Sequence, residues 1–202
     1  MPTYKLTYFN FSGLGEPIRW LLSYLDVPFE DNRIERENWP TIKSTTPFGQ
    51  VPVLEVDGKQ ASQSTAIARY LGKKAGIAGS NEWEDLMIDS MIDTFNDFRM
   101  NLVKWFRESD EATKKKLEET LVNETAPFYF NKFNDHIKNN GGYLANGKLS
   151  WGDIYFVALL EFMTTIWSGL IDKYEHIKAL KEKVVNLPKI KAWIEKRPAN
   201  VK

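Results

Sequence analysis

Cysteine is absent from the 202 residues. That excludes disulfides, thiolate metal sites and any mechanism whose nucleophile is the protein's own sulfur, so a reacting thiol would have to arrive as substrate. Histidine is nearly absent too. His136 and His176 stand forty residues apart with no neighbouring ligand spacing, which argues against zinc chemistry and against a Ser-His-Asp arrangement. Both read as ordinary helix residues, and no metal site is expected. An excess of either charge is missing: 27 basic and 27 acidic side chains cancel, so nothing in the balance suits a nucleic-acid partner. The longest apolar run, residues 154–160, has seven residues, far short of the ~20 that span a bilayer. The N-terminus enters an alternating pattern without the apolar stretch of a secretory signal. The expectation is a cytoplasmic chain with no membrane partner.

Aromatic residues are plentiful, with 7 Trp, 8 Tyr and 12 Phe, and hydrophobic residues make up 43%. Disorder is therefore excluded, and the length allows one large domain or two small ones. Residues 1–78 alternate short apolar segments with Gly and Pro punctuation. Thr3 to Phe9 reads as a strand. Ile18, Leu21, Leu22 and Leu25 then give a helix stopped by Pro28, and Phe29 to Ile34 a second strand. Trp39 to Thr46 is irregular or a short helix. Val53 to Val56, the turn Asp57-Gly58 and Lys59 to Ala61 form a hairpin. A helix starts at Ser64, so the order is βαβ, a connection, then ββα. Small residues cluster at 76–80, and beyond them the pattern is helical throughout. Residues 82–202 carry a long helix over 82–106, a second over 112–137 bent at Pro127, and a break at Gly141-Gly142. Ser150-Trp151-Gly152-Asp153 has the form of a capping box whose serine accepts from the Asp153 amide, opening the most apolar helix of the chain. Ile177, Leu180, Val184 and Leu187 mark a further helix, and Pro188 starts the last.

Ligands of open α/β sheets bind at the carboxyl ends of strands, which brings Tyr8 forward, because a phenol there can donate a hydrogen bond to an anion. Ser12 in the following loop is a weaker donor. Gly13-Leu14-Gly15 is part of a dinucleotide fingerprint, but Ile18 stands where the third glycine belongs, and the nucleotide reading is set aside. Val51-Pro52, directly before a strand, suits a tight and cis turn that leaves the Val51 backbone free for an extended ligand. Gln63-Ser64 precedes a helix, so Ser64 is expected to cap it and, with the first amides, to offer a carboxylate site. Trp39 and Lys43, four apart, can supply an indole donor and an ammonium. Asp85, Asp89, Asp93 and Asp97 form an acidic stripe that repels itself unless something cationic lies opposite. A solvated face, a basic surface on a partner chain, a divalent ion and a bound amine all remain open.

Taken together, the runs Tyr4-Lys5-Leu6-Thr7-Tyr8-Phe9-Asn10, Pro47 to Leu54 and Gln63 to Leu71 and the Ser150 to Asp153 box resemble the sigma-class glutathione transferases of insect type, over essentially the whole chain. The resemblance implies a thioredoxin-like N-terminal domain holding glutathione and an all-helical C-terminal domain, 82–202, that shapes the electrophile pocket and part of a homodimer interface. It implies a co-substrate, glutathione, and no resident cofactor. Position by position it implies that Tyr8 donates to the glutathione sulfur and that Trp39, Lys43 and Gln50 hold the glycyl end. Val51, before a cis Pro52, would pair with the cysteinyl unit. Gln63 and Ser64 would bind the γ-glutamyl carboxylate, and Asp97 of the partner subunit its ammonium. Phe9, Leu14, Met100, Trp105 and Tyr155 would contact small hydrophobic electrophiles. Two positions depart from the mammalian prostaglandin synthases of the class: Leu14 replaces an arginine, and Asn96 an acidic residue linked there to metal activation. Peroxidase or prostaglandin isomerase activity would be compatible with this reading. The rival reading is a crystallin-like structural protein or a carrier of apolar ligands.

Overall fold

A computed structural model describes residues 2–199. Four strands, β1 (Tyr4–Phe9), β2 (Glu30–Ile34), β3 (Val53–Val56) and β4 (Lys59–Ser62), make one sheet in the order β2-β1-β3-β4. β1 runs parallel to β2 and antiparallel to β3, and β3 is antiparallel to β4. The two-residue period of a strand sends Tyr4, Leu6 and Tyr8 to the buried face. Asp57 and Gly58 both have positive φ, 50° and 77°, the requirement of the tight hairpin turn expected there. Asp57 also accepts from the Thr3 amide at 2.8 Å, which ties the turn to the start of the chain.

Helix α1 (Glu16–Tyr24) follows β1, α2 (Trp39–Ile42) is a single turn within a run of short turns, and α3 (Ser64–Lys74) closes the first unit. The order expected from sequence, βαβ then ββα, is the order observed. Beyond it lie α4 (Glu82–Arg107), α5 (Glu111–Thr120), α6 (Ala126–Asn139), α7 (Trp151–Ile166), α8 (Glu175–Val185) and α9 (Pro188–Lys196). The long helix expected over 112–137 is real but is not simply bent at Pro127. The strain is absorbed one turn earlier, by a π-helical turn at Leu121–Thr125. Pro127 has no N–H to donate to the preceding turn, and a wider i→i+5 turn accommodates the missing bond. Leu187 likewise falls outside α8 and serves as the N-cap of α9.

Every residue from Trp151 to Leu160 is buried, so α7 is the central helix its composition promised. α1, α3, α4 and α8 all pack against it. The core is consequently one cluster running through both units, from Trp20, Ile67 and Leu71 to Ile88, Trp151 and Phe156. Among the described residues no helix is long and apolar enough to cross a membrane.

Candidate active site

Tyr8 ends the buried face of β1 and is 5% exposed. Its hydroxyl oxygen accepts from the Leu14 amide at 3.0 Å, which leaves the phenolic hydrogen available for a ligand. The loop after β1 reaches the phenol so closely because Gly13 and Gly15 lack side chains. A Cβ at Gly13 would lie 2.6 Å from the hydroxyl, and one at Gly15 2.5 Å from the ring. The glycine pair set aside as a nucleotide motif thus has a packing role around Tyr8. Arg19, fully buried, fixes the same loop by donating to the carbonyls of Phe9 and Phe11 at 3.3 and 3.1 Å. Burial pushes the Tyr8 hydroxyl above its usual 10, although the Leu14 amide, Arg19 and Arg99 pull the other way. At neutral pH it is therefore a neutral donor. Ser12, the alternative donor, is also buried, and its carbonyl accepts from the Glu16 amide at 2.9 Å.

An aromatic wall continues from Tyr8. Phe11 meets Tyr8 edge-on at 5.4 Å and stacks on Phe9 at 5.9 Å, while Trp39 of α2 packs against Phe9 at 5.4 Å. Phe162, near the end of α7, stacks on Phe11 at 5.7 Å. Phe11 and Phe162 did not stand out in the sequence. Phe162 sits in an apolar helix where one more Phe carries no signal, and its partner is 151 positions away.

The other edge of the site is the β3–α3 border. The Val51-Pro52 peptide bond is cis, as expected, and Val51 precedes the strand ladder, which begins at Val53. Gln63 has φ 74° and ψ 103°, a left-handed backbone that a side chain with Cβ adopts at some cost and that is enriched at functional sites. Gln63, not Ser64, is the N-cap of α3, and it makes no capping hydrogen bond through its side chain. The capping role expected of Ser64 is thus corrected: Ser64 is the first helical residue, and its hydroxyl lies 3.0 Å from that of Tyr155. Tyr155 is itself corrected. It is fully buried and accepts from Thr65 at 3.3 Å, so it stands behind the site instead of lining an open pocket. Thr65 accepts from Asn96 at 3.2 Å, and Asn96 accepts from Arg99 at 3.1 Å.

Tyr8, Phe9, Leu14 and Trp39 are thus drawn to one end of the sheet, and Ser64 and Tyr155 into contact. Lys43 and Gln50 are exposed on either side of the Thr46–Gly49 turn, and Lys43 packs near Gly49. Trp105 is half-buried with its indole nitrogen unpartnered among the described residues, and Met100 is 55% exposed on α4. The acidic stripe divides. Asp85 pairs with Lys73 at 3.3 Å and Asp89 with Arg69 at 2.7 Å, so the cations opposite its upper half belong to α3 of the same chain. Asp93 and Asp97 are exposed.

Comparison with known proteins agrees with this geometry. Residues 4–73 match the glutathione S-transferase N-terminal domain and residues 96–197 the C-terminal domain. A glutathione S-transferase of Anopheles gambiae is 46% identical over 98% of both chains, and the mouse hematopoietic prostaglandin D synthase 40% identical over 98% of both. The solved structure of prostaglandin synthase D of Nilaparvata lugens is 89% identical, covers 98% of this chain and 99% of its own, and superposes with a TM-score of 0.96. With both domain models matched and relatives of this identity spanning its length, the chain belongs to the glutathione S-transferase family.

Proposed function

We propose that the protein is a sigma-class, cytoplasmic homodimer that conjugates reduced glutathione to hydrophobic electrophiles in a detoxifying role, with glutathione as co-substrate and no other cofactor. The observation that carries this is the Tyr8 phenol, neutral, oriented by the Leu14 amide and holding one hydrogen free at the carboxyl end of β1. A free thiol has a pKa near ~8.5, so only a few per cent is ionised at neutral pH. Lowering it by about two units corresponds to about 2.7 kcal/mol. One hydrogen bond to a charged partner is typically worth about 1.5 to 3 kcal/mol, enough for the phenol to hold the thiolate. The cysteinyl backbone of glutathione pairs with Val51 beside the cis Pro52, its γ-glutamyl carboxylate meets Gln63 and Ser64 at the start of α3, and Trp39, Lys43 and Gln50 take the glycyl end. Asp97 of the partner subunit receives the γ-glutamyl ammonium. The electrophile rests on the aromatic wall of Phe9 and Phe11 with Leu14, Met100 and Trp105.

Tyr8→Phe tests this, since it keeps the ring and removes only the donor. The ultraviolet absorbance of bound thiolate, titrated against pH, is expected to shift its midpoint upward by about two units. Turnover of an aryl halide is expected to fall about 10- to 100-fold with glutathione affinity nearly intact. Identical midpoints in the two proteins would remove Tyr8 from the role of activator. Isomerisation of prostaglandin H2 is a second reading, favoured by the 89% identity to the prostaglandin synthase D of Nilaparvata lugens. Leu14 offers no cation to an acidic lipid, which favours uncharged electrophiles. Parallel rates on an aryl halide, a lipid aldehyde and prostaglandin H2 separate the two.

A further inference from the structure

A row of side chains from three helices ends at Ser64, and its hydrogen bonds have a direction. Arg99 can only donate. Its Nε lies 3.1 Å from the Asn96 side chain, so the Asn96 atom facing it is the oxygen, and the Asn96 amide group turns to Thr65, 3.2 Å away. Thr65 Oγ1 therefore accepts from Asn96, and its single hydrogen goes on to the Tyr155 hydroxyl at 3.3 Å. Tyr155 then has one hydrogen left; either hydroxyl can donate across its 3.0 Å contact with Ser64 Oγ, and with Thr65 already donating to Tyr155 the phenol is assigned as the donor. Ser64, having accepted, has its own hydrogen left over for a ligand. A serine hydroxyl free to rotate is donor or acceptor with equal ease. Here the tyrosine takes the acceptor half, in a buried setting where Ser64 is 8% exposed and Tyr155 fully buried.

From this chain of donors we infer that Tyr155 is a positioning residue for glutathione binding: its hydroxyl fixes Ser64 as a hydrogen-bond donor toward an anion and so selects the γ-glutamyl carboxylate. The inference rests on the reading of Ser64 given above and adds to it a residue from the C-terminal helical unit that does not touch the ligand. Orientation is set beforehand, so the Ser64 hydroxyl loses no rotational freedom when the carboxylate arrives. The chemistry selected is an anion acceptor at the end of the γ-glutamyl arm. A peptide whose arm ends without that carboxylate gains nothing from the arrangement.

The test measures dissociation constants of two ligands by quenching of tryptophan fluorescence: glutathione, and its analogue lacking the γ-glutamyl α-carboxylate, 4-aminobutyryl-cysteinyl-glycine. Tyr155→Phe keeps the ring and deletes the hydroxyl. It is expected to weaken glutathione binding about five- to tenfold, in the range of one ordinary hydrogen bond, while the analogue binds mutant and wild type alike. In kinetics the loss appears in KM for glutathione with kcat retained, and the thiolate titration midpoint stays in place. An equal loss for both ligands would mean that the mutation merely loosens the fold, and unchanged glutathione affinity would mean that the hydroxyl orients nothing. Either result overturns the inference. Ser64→Ala separates the underlying reading: if it binds glutathione as wild type does, Ser64 is not the carboxylate donor at all. Should Tyr155→Phe fail to fold, Thr65→Val interrupts the same row from a half-buried position. It is expected to show the same ligand selectivity at smaller size, and a loss shared by both ligands would again overturn the inference.

Discussion

Glu16 and Asp153 are both buried carboxylates in the first turn of a helix, one in the N-terminal unit and one in the C-terminal, and they are held in opposite ways. Four donors converge on Glu16: Trp20, Trp193 and Arg197 on one oxygen at 2.9, 3.0 and 2.7 Å, and Arg19 on the other at 3.2 Å. Burial pushes this carboxyl up, but the Arg19 charge and the Arg197 hydrogen bond outweigh it and hold the group below its usual 4.5. Asp153 has three donors and, among the described residues, no cation paired with it. Its Oδ2 accepts from the Ser150 amide and hydroxyl at 2.7 and 2.8 Å, and its Oδ1 from the Leu144 amide at 2.7 Å. Burial wins there and raises the carboxyl to about 6, against the Leu144 and Ser150 hydrogen bonds. Two buried acids with full hydrogen bonding differ because only one has charge opposite it, and dipoles alone do not repay the loss of water.

The largest expected effect breaks the Glu16 half. Glu16→Ala takes one carboxylate from Arg19, which is fully buried, and leaves Arg197 only Glu161 at 3.0 Å; it should cost about 3 to 5 kcal/mol in denaturant unfolding. A loss under about 1 kcal/mol would mean that Asp31, 2.8 Å from Arg19, suffices for the arginine. Asp153→Ala leaves the Ser150 and Leu144 amides without a partner and is expected to cost about 2 to 3 kcal/mol by the same measurement.

Stability against pH sharpens the contrast, because the two groups have opposite signs. A carboxyl whose folded pKa is raised binds its proton more readily when folded. Its contribution is therefore complete below the unfolded value of 3.8 and is lost as pH rises through about 6. That amounts to about 2 to 3 kcal/mol between pH 4 and 7. Glu16 behaves in reverse: its contribution is present above 4.5 and is lost as pH falls through its lowered folded value. Asp153→Asn should remove the decline between pH 4 and 6 and leave the acid limb. An unchanged slope in that window would show that Asp153 is ionised throughout it.

The smallest effects separate the two halves of the acidic stripe. Asp89→Ala, which breaks the 2.7 Å pair with Arg69, should cost at most about 1 kcal/mol and leave glutathione affinity alone. Asp97→Ala should leave stability alone and raise the dissociation constant for glutathione. If Asp97→Ala binds glutathione normally, no partner subunit completes the site through this residue.

The legible parts were those whose cause is local. The capping box at Ser150 and Asp153 spans four residues, the Asp57-Gly58 turn two, and the alternation that buries Tyr8 is a property of one strand. Cis Pro52 could be expected for the same reason. The Glu16 clamp could not, because Trp193 and Arg197 lie 177 and 181 residues away. Asp85 and Asp89 looked unpaired because a helix stripe displays its own repulsion, while the cations that relieve it sit on α3.

By itself the sequence determined the order of the elements, the division between a mixed sheet unit and a helical one, the burial of α7 and the position of Tyr8 at the end of a strand, because periodicity, turn chemistry and capping act over a few residues. Only the tertiary structure decided which side chain Ser64 meets. A hydroxyl one residue inside a helix can turn to its own helix or across the core, and it lies 3.0 Å from the hydroxyl of Tyr155, 91 positions on, because a buried phenol must find a partner.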